Sequence, residues 1–79
     1  MKIRKTVLHD REVNVYVYEN KKEAYFVTAI PDIEWSKDFT YEDAGEAFLQ
    51  NLANSLAHCV EREEAEELAQ RVYQWTREM

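Results

Sequence analysis

His58 and Cys59 stand side by side, and His9 precedes Asp10. A thiol next to an imidazole suggests nucleophilic catalysis, because a base within hydrogen-bond reach makes the thiol a thiolate. The spacing argues against it. Consecutive residues on a helix lie about 100° apart and do not face each other, and neighbours on a strand point to opposite faces. Cys59 therefore reads as a core or partly exposed residue, and His9-Asp10 as a turn. A zinc site would need further ligands at suitable spacing, and none is evident. The sequence predicts no catalytic residue, no metal site and no cofactor.

The carboxylates are more suggestive. Asp32, Glu34 and Asp38 flank Trp35 in one short stretch. Acids in a loop can hold a divalent cation, but these lack the EF-hand spacing. An acidic loop around an exposed aromatic reads instead as a recognition surface. The competing reading packs Trp35 over a sheet edge. A second set, Glu61, Glu63, Glu64, Glu66 and Glu67, is broken by Arg62. It reads as a solvated helix face or, because regularly spaced carboxylates can imitate a phosphate backbone, as a nucleic-acid mimic. The candidate partner-binding residues are Asp32, Glu34, Trp35, Asp38, Glu63, Glu64 and Glu67.

Charge narrows the partner class. The formal net charge of −6 is unevenly spread: residues 1–22 hold six Lys/Arg against three Asp/Glu, and residues 23–79 hold four against thirteen. Duplex binding needs clustered positive charge that displaces counterions. A basic protein partner is expected, and direct nucleic-acid binding is not. One cysteine and the lack of an apolar signal segment after Met1 fit a reducing cytoplasm, and no stretch is long enough for a membrane span.

These groups sit on a legible frame. Lys2–Leu8 reads as a first strand. Val13, Val15 and Val17 alternate with Asn14, Tyr16 and Tyr18, the two-residue period of a second. Asn20-Lys21-Lys22 is a polar turn. Glu23–Ile30 is a third strand with no polar face, ended by Pro31, which cannot donate to a ladder. Ser36–Phe39 reads as a short fourth strand. Thr40 is placed as a helix N-cap, with Asp43 completing a capping box. Ala44, Phe48, Leu52 and Leu56 then form one apolar stripe. Gly45 would weaken that helix by about 1 kcal/mol or allow close approach to the sheet. A second stripe, Ala65, Leu68, Ala69, Val72, Trp75 and Met79, is out of phase with the first, which predicts a bend near residues 59–62.

Tyr25, Val27, Pro31 and Asp32, followed by Thr40, Glu42, Asp43 and Ala44, resemble the strand–turn and helix-start signature of HicB-like antitoxin domains. The resemblance implies a three-stranded antiparallel sheet packed on a helix. It also implies neutralisation of a small basic ribonuclease toxin. No helix-turn-helix or ribbon-helix-helix segment fits in the remaining residues, so it implies no DNA-binding domain.

The reading is a single α+β sheet–helix domain over residues 1–79. A three- or four-stranded antiparallel meander precedes two helices, and the first helix covers one sheet face through Phe48, Leu52 and Leu56. The function read from it is a non-enzymatic protein-binding module that sequesters a basic partner. The alternative is an acidic phage- or plasmid-type inhibitor of a nucleic-acid enzyme. At 46% hydrophobic and 13% aromatic residues, the chain has apolar surface beyond one small core, which predicts a homodimer.

Overall fold

The computed structural model describes residues 1–78. Four strands, β1 (Lys2–Leu8), β2 (Arg11–Asn20), β3 (Tyr25–Ile30) and β4 (Trp35–Thr40), precede two helices, α1 (Gly45–Leu56) and α2 (Arg62–Arg77). The fold is α+β, with all strand pairs antiparallel in the order β1-β2-β3-β4. The chain forms two compact units, one spanning Met1–Tyr41 and one beginning at Glu42.

In the sheet unit, tight turns set the register. His9 and Asp10 both take positive φ, 52° and 62°, in a two-residue connection between Leu8 and Arg11. Such left-handed pairs match the twist of a hairpin. The next turn closes when the Glu23 N–H donates to Asn20 Oδ1 at 3.0 Å, and Ala24 takes φ 59°. Pro31 ends β3 as anticipated and opens a 3-10 turn, Pro31–Ile33. Glu34 leaves that turn at φ 53°, its N–H on the Pro31 carbonyl at 3.0 Å.

That register sorts side chains by parity. One face carries Thr6, Leu8, Val13, Val15, Val17, Thr28, Ile30, Trp35 and Phe39, all buried. Phe26 joins them, stacked on Phe39 with ring centres 5.5 Å apart. The other face carries Ile3, Val7, Tyr16, Tyr18, Tyr25, Val27 and Ala29, which are half-buried or exposed.

The first helix has its N-cap at Ala44, four residues later than the proposed cap at Thr40. Thr40 is instead the last residue of β4, opposite Tyr25, and the Tyr41 N–H donates to the Ala24 carbonyl at 3.2 Å. The sheet ladder has claimed the backbone that the helix would have used. The chain enters α1 through Gly45 at φ +82°, a conformation that side chains with a Cβ rarely adopt. Nothing lies within 4 Å of where a Gly45 Cβ would be, so backbone freedom rather than close approach explains this glycine.

Phe48, Leu52, Ala53 and Leu56 are the buried face of α1. Two separate helices form, with buried Val60 in the connection. On α2 the buried stripe is Ala65, Leu68, Ala69, Val72 and Thr76. Thr76 replaces Trp75, which is only half-buried, and Met79 lies outside the described residues. Four-residue steps from Leu68 reach Val72 and then Thr76, whose hydroxyl donates to the Tyr73 carbonyl at 2.7 Å. Glu64 accepts the Glu61 N–H at 3.4 Å, the return arm of a capping box.

Candidate functional site

The acids around Trp35 do not surround an exposed anchor. Trp35 is buried on β4 opposite Ile30, its exposure 6%. This corrects the recognition role proposed for it. Ser36 and Asp38 fall on the opposite face by strand parity. Asp38 is exposed beside Val27, whereas Asp32 sits in the 3-10 turn and pairs with Arg11 at 3.6 Å. Asp32, Glu34 and Asp38 thus share an edge of the sheet but form no ring around an aromatic.

The α2 carboxylates are interleaved with cations. Glu66 pairs with Arg62 at 3.3 Å and Glu67 with Arg71 at 3.1 Å. Glu64 is half-buried and engaged at the helix start, while Glu63 faces solvent. Arg62 also donates to Asn54 Oδ1 at 2.8 Å, tying α2 to α1. The face is a ladder of ion pairs rather than a bare row of negative charge.

Between the two helices lies a surface groove of about 400 Å³, lined by Glu46, Leu49, Gln50, Ala53, Glu66, Ala69 and Gln70. Leu49, Ala53 and Ala69 make an apolar floor, and the two carboxylates and two amides supply polar groups. Sequence reasoning missed this site. The signal was the pair of small residues, Ala53 and Ala69, on facing helices.

The second sheet face is open. Ile3, Val7 and Tyr18 are 52%, 63% and 40% exposed. Tyr18 meets Tyr25 edge-on, with ring centres 6.2 Å apart. The reading of Glu23–Ile30 as a strand with no polar face anticipates this apolar second side.

Two tyrosines have perturbed acidity. Tyr41 donates a hydrogen bond to Glu19, and this bond, desolvation and the Glu19 charge push its pKa up to about 12. Tyr73 is held below the usual value, first by the Arg77 guanidinium that donates to its oxygen at 2.9 Å, then by the Gly45 N–H at 3.4 Å. That second bond gives the start of α1 a partner on α2. His58 and Cys59 are both exposed. Among the described residues, no three His, Cys, Asp or Glu side chains are grouped to hold a metal ion, and no helix is long and apolar enough to cross a membrane.

No solved structure matches the chain. It is 35% identical to the uncharacterized protein YueH of Bacillus subtilis (strain 168) over 82 residues, covering all of both chains. A family model for YueH-like proteins matches residues 2–78. These matches overturn the resemblance to HicB-like antitoxins, which rested on short strand–turn and helix-start strings in the middle of the chain. The end-to-end match, across sheet and helices alike, shows that the chain belongs to the YueH-like family.

Proposed function

We propose that the chain is a non-enzymatic protein-binding module whose helical hairpin holds a basic partner. The charge supports this reading. Residues 1–41 hold seven Lys/Arg and seven Asp/Glu, so the whole net charge of −6 lies on residues 42–79. The observation that carries it is the α1–α2 groove, where Glu46 and Glu66, the latter shared with Arg62 at 3.3 Å, flank the floor of Leu49, Ala53 and Ala69. A lysine or arginine fits such a groove, because its aliphatic stem packs on apolar surface while its charged head stays at a wet rim. Opposite charge would also speed encounter in a salt-dependent way.

Imitation of nucleic acid has less support, because Arg62 and Arg71 already pair with carboxylates on the same helix. The test is affinity capture from the native host with the wild-type chain and with a Glu46→Lys/Glu66→Lys variant. The expected result is a basic protein retained by the wild type, lost on charge reversal and associating more slowly as salt rises. An acidic partner, or one retained equally by the reversed variant, refutes the reading. So does tight duplex binding at physiological salt.

A further inference from the structure

We infer that the open sheet face is the seat of a second copy of this chain, in a two-fold dimer whose axis runs along the strands between β2 and β3. This surface belongs to residues 1–41 and is independent of the helical groove.

The register supplies the first argument. Ile3, Tyr16, Ala29 and Ser36 lie level in one row across the sheet, and Tyr18, Val27 and Asp38 in the next. In both rows β2 carries the larger side chain, Tyr16 or Tyr18, and its β3 neighbour the smaller, Ala29 or Val27. A two-fold axis along the strands keeps each residue at its level and lays β2 over β3 of the other copy. Tyr16 then meets Ala29 of the second copy, and Tyr18 meets Val27. Large groups fill the space left by small ones, as packed sheet faces about 10 Å apart require.

Charge supplies the second argument. The same operation lays β1 over β4. On this face β1 carries one charged residue, Lys5, since Lys2 and Arg4 share the face of Val15 and Val17. On β4 this face carries Asp38, with Asp32 and Glu34 in the turn before it, whereas Lys37 shares the face of Trp35 and Phe39. Lys5 is opposite Asn14, and continuing that row through Pro31 reaches Glu34, whose N–H bonds the Pro31 carbonyl at 3.0 Å. Lys5 of one copy therefore comes level with Glu34 of the other, at both ends of the interface. The Lys5 side chain is 61% exposed and holds Glu12 at 3.5 Å, so its ammonium can reach a second carboxylate. An axis across the strands would stack β1 on β1 and bring no β4 acid to Lys5.

Area sets the strength. With strands about 4.8 Å apart and about 3.3 Å per residue, the patch is roughly 15–20 Å on each side. That is below the ~800 Å² per partner of a standard interface. The dimer is accordingly weak and reversible.

Sedimentation equilibrium of the full chain over a concentration series tests this. The expected result is a monomer–dimer equilibrium. Tyr18→Glu is expected to weaken it at least about tenfold, since it buries an unpaired charge. Lys5→Glu and Glu34→Lys are each expected to weaken it, and the double swap to restore it. Urea unfolding of each variant confirms that these surface changes leave the fold intact. A monomer mass at every concentration, a dimer indifferent to Tyr18→Glu, or a double swap no better than the singles overturns the inference. Failure of the charge-reversal capture at Glu46 and Glu66 would leave it standing.

Discussion

Phe48 on α1 is 7% exposed, and its ring centre lies 5.8 Å from that of Tyr73 on α2. Phe48→Ala removes most of a side chain that buries about 150–250 Å². Discounting the methyl that Ala retains, at about 25 cal/mol per Å² the transfer loss is roughly 3–4 kcal/mol. The cavity left behind and the lost ring pair add to this, so the whole effect falls near the top of the ~3–5 kcal/mol range for such truncations. A domain of this size shifts about 4–8 °C per kcal/mol, which predicts a fall in melting temperature of some tens of degrees. Thermal unfolding followed by far-ultraviolet circular dichroism reads the helices directly, and Phe48→Leu is the control, expected to lose about 1–2 kcal/mol. A Phe48→Ala protein melting within a few degrees of wild type would refute the assignment of this ring to the core.

Two further outcomes are expected. Thr28 is fully buried and its Oγ1 has no hydrogen-bond partner among the described residues, so Thr28→Val, which keeps the shape, is expected to stabilise the protein by about 1–2 kcal/mol in urea unfolding. Ultraviolet difference titration is expected to show Tyr73 ionising before Tyr41, with Tyr41→Phe removing the higher of these two steps and Tyr73→Phe the lower. The signs are opposite: what Tyr41 contributes is present below pH 10 and lost as pH rises through about 12, whereas what Tyr73 contributes is present above pH 10 and lost as pH falls through its lowered pKa.

The strands were the legible part of the fold. Val13, Val15 and Val17 alternate cleanly, and Pro31 stops β3 for a reason contained in its own ring. The start of α1 was not legible, because Thr40 is a good cap by type. What displaced it is the pairing of Thr40 with Tyr25, fifteen residues away, and no local pattern contains that pairing. The recognition site at Trp35 failed for a related reason. The acids are near it in sequence, but residues 35, 37 and 39 share one face of β4 and 36 and 38 the other, and that phase is set by the left-handed turn at Glu34. The α1–α2 groove was not read, because Ala53 and Ala69 mark a site only once the relative rotation of the two helices is known. The HicB-like strings misled because a strand, a Pro-Asp turn and an acidic helix start suit many small domains.

The order β1-β2-β3-β4, with α1 connected to α2 by a short turn, has a kinetic consequence. Every strand hydrogen-bonds only to its neighbour in sequence, across connections of two, four and four residues. Loop-closure entropy grows with the logarithm of loop length, so each of these pairings closes at little cost. Chains with such local contacts fold fast: hairpins form in about 1–10 μs and single helices in about 0.1–1 μs. The hairpin of β1 and β2, with its two-residue left-handed turn, can form before β4 is made, and the helices need no strand to find each other. For a nascent chain this means that the sheet residues can be paired while the C-terminal helix is still being synthesised.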